Sequence, residues 1–245
     1  MDDFGWILVL LNIIIFFTDV SVIIIQVVYL KIRNWWMREG PFMSWEILNI
    51  LAVSAFAFSG AIVALNERYD IFGTFILGIA TPFAGGIIRN IALDVPVVHV
   101  WEQGYLLYVA FGTIAVVYFF PKTWVLSWDR WNIYPDAIGL SAFALQGASF
   151  AIAHNFPLGG VIFAAILTGV GGGVTRDVLA QRRPMVLHQE IYAVWALMAG
   201  LLIGVGIIDV QSASQTYFLF FLVITCRVLS YHLGWHLRFR DLYRL

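Results

Sequence analysis

The sequence predicts an all-α polytopic membrane protein: two inverted three-helix repeats plus a closing helix, with an extra N-terminal hydrophobic segment. Three observations predict it. Of 245 residues, 61% are hydrophobic and 12% charged, about half the charged share of a soluble domain. The apolar residues gather in runs of about 20, the number that crosses roughly 30 Å of hydrocarbon. The chain also matches itself at a spacing of 87 residues. A water-soluble fold of this length has no interior large enough for so much apolar surface. A net charge of −1 leaves no footprint for nucleic acid. Cys226 is alone and forms no internal disulfide.

Residues 1–43 are read as an N-terminal hydrophobic segment with a basic linker. The start Met1-Asp2-Asp3 lacks the basic leader of a secretory signal, so the run at 5–30 is expected to stay and to span. Asn12, Thr18, Asp19, Ser21 and Gln26 interrupt it, and spanning places Lys31, Arg33 and Arg38 outside; a segment lying in the interface is the alternative. Repeat 1 occupies 44–122, with spans at 46–65, 71–91 and 104–120. Repeat 2 occupies 131–209, with spans at 136–153, 159–179 and 191–208. A closing helix at 216–233 and a basic tail make up 216–245. Polar breaks such as "NERYD" (66–70), "HNFP" (154–157) and "QRRP" (181–184) separate the spans. Trp45, Trp101, Trp124, Trp128, Trp131 and Trp235 fall at or near span ends, where amphipathic rings settle. Breaks on one side carry Arg68, Lys122, Arg130, Arg182 and Arg183, and the tail adds Arg238, Arg240 and Arg244. Breaks at 92–103, 154–158 and 209–215, on the other side, carry no Lys or Arg. Positive loops stay inside, which predicts a plasma (inner) membrane protein with a cytoplasmic C-terminus.

At a shift of 87, "SAFAFSGA" (54–61) falls on "SAFALQGA" (141–148), and "GGIIRN" (85–90) falls on "GGVTRD" (172–177). Gly73 meets Gly160, Thr81 meets Thr168, Arg89 meets Arg176 and Tyr105 meets Tyr192. Chance matches between greasy helices are common, but matches at Gly, Arg and Tyr at one offset are not. Three spans per unit is an odd number, so the second unit enters from the opposite side. Inverted repeats of this kind are a transport architecture, with the shared path near the middle.

Glycine runs are poor helix material. Pro82 removes a backbone donor and displaces the carbonyl one turn earlier, and Gly85 and Gly86 tolerate a bend. Gly169, Gly171, Gly172 and Gly173 supply the same freedom in the span 159–179. Both helices are therefore expected to break here, with kinks at Pro82 and Gly169. Backbone freed at membrane depth survives only against protein or water, so two broken helices imply a wet path lined by carbonyls suited to a dehydrating cation. The alternative, close helix packing, is the reading for Ala57, Gly60, Ala61 and Ala64. An intramembrane arginine costs about 3 kcal/mol or more. Arg89 and Arg176 at matched depths thus point to a lined cavity, with snorkelling the alternative for Arg89. Adjacent helical residues point about 100° apart, so Arg176 is expected to pair across helices rather than with Asp177. Asn90 leaves Arg89 no local counter-charge.

Other polar residues carry less. His232 and His236 sit at metal-ligand spacing with no third ligand, so no metal site is predicted. Arg227 is expected to snorkel or to pair at a protein contact, and Asp19 to face a neighbour or serve function. Hydrolase, metalloprotease and phosphate-loop signatures are absent, and "GGGVTRD" lacks the Lys-Ser/Thr ending of a P-loop. No enzyme and no cofactor are predicted.

Two "GG(G)xxRD"-type motifs in three-helix repeats, each preceded by a "SAFAxxGA" helix, resemble the trimeric intracellular cation channel family, and more closely its bacterial, glycine-transporter-domain branch. The resemblance covers roughly residues 46–235. It implies seven helices, a homotrimer, a pore within each protomer, and bending of the second and fifth core helices at the glycines to gate it. Gly85, Gly86, Gly171, Gly172 and Gly173 inherit the hinge role; Arg89, Arg176 and Asp177 inherit the pore lining or gate, with Asn90 in the place of an aspartate. Ala84 replaces a motif glycine, residues 1–43 have no counterpart, and the lipid-regulation motif of animal members is missing. The expected function is passage of a small solute, a monovalent cation such as potassium. Transport of glycine or a similar zwitterion is the alternative, and a non-transporting membrane scaffold a third reading.

Overall fold

Among the described residues, seven helices of twelve residues or more follow in order: α1 (Trp45–Asn66), α2 (Ile71–Ala92), α3 (Tyr105–Phe119), α4 (Ile133–Ala153), α5 (Leu158–Leu179), α6 (Ala193–Gly204) and α7 (Ala213–His232), with single turns at Val97–Val100 and Met185–His188. This computed structural model describes residues 45–100, 104–119, 131–188 and 191–235. The chain divides into units Met1–Phe42 and Met43–Leu245, and every described residue belongs to the second. The expected N-terminal span at 5–30, with Asp19, lies outside the described residues, as do His236 and the basic tail. Five of the helices (α1, α2, α4, α5 and α7) are long and apolar enough to cross a membrane. α3 and α6 are shorter than the expected spans, at 15 and 12 residues. α6 stops early because Gly204 gives way to a turn in which Gly206 has φ +77°.

The repeat is written into the backbone. Among the described residues, four that are not glycine have positive φ: Arg68, Asp94, Asn155 and Gln181. Arg68 pairs with Asn155, and Asp94 with Gln181, at the offset of 87. Each sits just past a helix end, in the left-handed geometry that closes a C-terminus. The closing bonds correspond too: Tyr69 N to Ala64 O and Phe156 N to Ala151 O after the first helices, Val95 N to Asn90 O and Arg182 N to Asp177 O after the second. α2 opens on Asp70, whose carboxylate accepts from Gly73 N at 2.7 Å, one of the donors a helix start leaves free.

Inversion is visible in which turns meet. The Tyr69 hydroxyl, after α1, donates to Leu179 O at the end of α5 at 2.8 Å, and Arg182 pairs with Glu67 beside it. The first helix of one repeat and the second of the other therefore finish at the same end. α1 and α4 are the most enclosed helices, while Phe72, Tyr108, Phe218 and Phe221 are exposed, as suits a surface in lipid.

The expectation of broken helices is corrected. α2 runs as one helix through Pro82, Gly85 and Gly86, and α5 runs unbroken through Gly169, Gly171, Gly172 and Gly173. Close approach is what these glycines serve. A Cβ on Gly85 would overlap the Thr168 carbonyl oxygen, and one on Gly172 would overlap that of Thr81, the same contact made twice by the repeat. A Cβ on Gly171 would lie 3.0 Å from the Gly85 Cα. Backbone thus meets backbone where α2 crosses α5, as small residues allow between membrane helices. Gly60 follows the same logic, its Cβ position lying 2.5 Å from Thr81 Oγ1 and 2.8 Å from Leu77 O.

Candidate functional site

The two arginines lie at opposite ends of the α2–α5 crossing, and the repeat makes their surroundings comparable position by position. At the Arg176 end, the side chain is 1% exposed and bonded through Nε and Nη1. Nε donates to Asp177 Oδ1 at 2.8 Å; Nη1 donates to Asp136 Oδ1 at 3.0 Å and to Ser59 Oγ at 2.6 Å. Asp136 comes from the first turn of α4 and Ser59 from α1, so this residue ties three helices together. The Ser59 hydroxyl in turn donates to Asn132 Oδ1 at 2.8 Å. Asp177 Oδ2 accepts from Met185 N at 3.0 Å, anchoring the loop that follows α5. The Tyr192 ring lies under Arg227, 4.6 Å from guanidinium carbon to ring centre. Gly173 closes the cluster: a Cβ there would sit 3.2 Å from the Tyr192 hydroxyl and 3.7 Å from Asp136 Oδ1. The Arg176 charge is viable at membrane depth because two carboxylates meet it there.

The Arg89 end keeps the backbone and changes the chemistry. Arg89 Nε and Nη2 donate to Asn90 Oδ1 at 3.0 and 2.8 Å. Its guanidinium stacks on Phe150 at 3.7 Å, a cation–π contact worth about 2 kcal/mol when desolvated. The repeat positions of Asp136 and Ser59 are Asn49 and Gln146, and Gln146 Nε2 donates to Asn49 Oδ1 at 2.9 Å. Beside Arg89 lies a cavity of about 120 Å³, lined among others by Pro82, Gly86, Gln146, Phe150 and Thr168. The cavity extends from Arg89 to the helix crossing.

Loop geometry explains Asn90. Its Nδ2 donates to Pro96 O at 3.1 Å, where Asp177 instead accepts a backbone N–H. A loop that offers a carbonyl needs a donor, which the Asn90 amide supplies and an ionised carboxylate lacks; a loop that offers an N–H needs an acceptor, which Asp177 supplies.

Several sequence readings are sharpened here. Arg176 pairs across helices as expected, and with its neighbour Asp177 as well, because its long side chain folds back along α5. Arg89, 6% exposed, and Arg227, fully buried, do not snorkel. His232 lies 3.4 Å from the Tyr134 hydroxyl. Sequence reasoning missed Asp136, Ser59, Asn49, Gln146 and Phe150. The signal for four of them was present: they are polar residues that the offset of 87 places opposite one another within apolar runs.

Comparison with known proteins agrees with this architecture. A family model described as glycine transporter matches residues 46–122 and 133–206, one match per repeat. The UPF0126 membrane protein YvgT of Bacillus subtilis is 50% identical over 195 residues, covering 80% of this chain and 96% of its own. A structure solved to explain conductance through TRIC cation channels aligns with TM-score 0.70 and 30% identity, over 83% of this chain and 100% of that one. A TRIC trimeric intracellular cation channel orthologue from Rhodobacter sphaeroides aligns with TM-score 0.67 and 28% identity, over 78% and 98%. With both repeats matched and the fold shared end to end, the chain belongs to the glycine transporter family, the bacterial branch of the trimeric intracellular cation channels.

Proposed function

We propose that the protein forms a homotrimer in the plasma membrane, C-terminus cytoplasmic, and that each protomer conducts a small monovalent cation, potassium, along the α2–α5 crossing. One observation carries this reading: equivalent positions border a cavity at the Arg89 end and form a buried ion-pair cluster at the Arg176 end. A path with one accessible half and one latched half is a gated path. In this reading Gly86, Arg89 and Asn90 line the outer half, while Gly173, Arg176 and Asp177 form the gate. Gly85, Gly171 and Gly172 hold the crossing tight between them, and Pro82 and Gly169 flank it. Arg68, Arg182 and Arg183 share the Arg176 end, which supports placing that end in the cytoplasm. Cation conduction and the trimer are supported by the solved channels of the same fold.

One feature favours transport of a zwitterion such as glycine as a second reading: Arg89 has no ion pair among the described residues and borders the cavity. Purified protein in liposomes separates the two. Potassium flux without glycine counterflow supports the channel, and glycine counterflow supports the transporter. Silence in both from a folded oligomer refutes conduction and leaves a membrane scaffold.

A further inference from the structure

The repeat supplies an internal control for what a buried arginine in this fold pairs with. Arg176 uses two edges of its guanidinium, Nε toward the next residue, Asp177, and Nη1 toward Asp136 and Ser59. Arg89 uses its first edge the same way, toward Asn90. Its second edge differs: among the described residues, Nη1 makes no hydrogen bond and the guanidinium has no ion pair. Asn49, at the repeat position of Asp136, carries no charge, and its amide oxygen is already engaged by Gln146. The side chain is 94% enclosed by its relative exposure of 6%, yet it borders a cavity of about 120 Å³. Phe150 covers one face of the guanidinium, and the Nη1 edge lies in the guanidinium plane.

We propose that the Arg89 cavity is a binding site for a small monocarboxylate, whose oxygens accept from the Nη1 edge as Asp136 does from Arg176. A guanidinium presents its N–H groups in a planar fork that matches a carboxylate better than a spherical halide. Burial makes the pairing strong, since an uncompensated charge at this depth is expensive. The cavity's size admits a molecule of a few heavy atoms. One positive charge calls for one negative charge, and no second cation among the described lining residues would hold a dicarboxylate. The site is independent of the conduction reading, because its occupancy is measured without flux.

The test titrates purified full-length protein in detergent with sodium acetate, against sodium chloride at matched ionic strength. Calorimetric heat and thermal unfolding are the readouts, since a ligand of the folded state raises the unfolding temperature. Acetate is expected to bind saturably and to stabilise the wild type, whereas chloride does neither. Arg89→Gln should weaken acetate binding at least tenfold. Asn49→Asp should do the same, because the new carboxylate occupies the position that Asp136 holds in the other repeat. Should Arg89→Gln fail to fold, Asn49→Asp decides alone, its fold checked by elution volume. Acetate binding that survives Asn49→Asp or Arg89→Gln unchanged, or that chloride reproduces, overturns the proposal.

Discussion

Gly172→Ala tests whether the glycine motif packs or bends. The Cβ added there overlaps the Thr81 carbonyl oxygen and lies 2.8 and 2.9 Å from two carbons of the Phe56 ring. Neither neighbour is the loose end of a flexible chain: one is helix backbone, the other a fully buried ring. To reach ordinary contact the helices must separate by about 1 Å, and the Gly85–Thr168 contact in the same crossing resists. Overpacking of this kind costs about 3 kcal/mol or more. Alanine returns about 1 kcal/mol of helix propensity, leaving a loss of about 2 kcal/mol. Gly159→Ala is the matched control in the same helix, with nothing within 4 Å of its Cβ position, and should gain up to about 1 kcal/mol. Thermal unfolding in detergent should therefore rank Gly159→Ala above wild type and Gly172→Ala below it. If Gly172→Ala unfolds no earlier than wild type yet loses flux, the glycine acts as a hinge and the packing argument fails.

Asp136→Asn leaves Arg176 with Asp177 as its one carboxylate partner and weakens a charge-assisted bond, at an expected cost of about 1.5–3 kcal/mol. Adding Arg176→Gln should recover part of that loss in a double-mutant cycle, and strict additivity would show that the two are not coupled. Asn90→Asp puts a carboxylate oxygen against the Pro96 carbonyl while offering Arg89 a charge. Unfolding should fall by about 1–3 kcal/mol if the loop contact dominates, and a rise would show that charge pairing outweighs it.

The order and approximate limits of α1 to α7 were legible because a membrane imposes a length and a composition that local sequence reports directly. The offset of 87 carried further than topology, since it also pairs Arg68 with Asn155 and Asp94 with Gln181 in left-handed turns. What Gly85 and Gly172 do was not legible. A glycine that frees a bend and one that admits a neighbour look the same in sequence, and only the Thr168 and Thr81 carbonyls opposite them separate the roles. Asp136 escaped notice for a related reason. It stands in the first turn of α4, where a carboxylate is ordinary, and its partner lies 40 residues away on α5.

The two halves share a backbone, so their differences locate what the chain has specialised. The crossing contacts are kept on both sides, Gly85 on Thr168 and Gly172 on Thr81, as are Gly60 on Thr81 and its counterpart Gly147 on Thr168. The polar shell around each arginine is not kept: Asn49 faces Asp136 across the repeat, Asn90 faces Asp177, and Gln146 faces Ser59. Crossing residues set how closely two helices lie, and changes there should appear first as lost stability. On the proposed path, shell residues set the charge that a passing solute meets, and changes there should appear first as altered selectivity. Asp136 and Asp177 bring two carboxylates to Arg176 while amides meet Arg89, so the crossing has a built-in electrical asymmetry. Reversing it requires exchanging the shells between the repeats, while the crossing stays as it is.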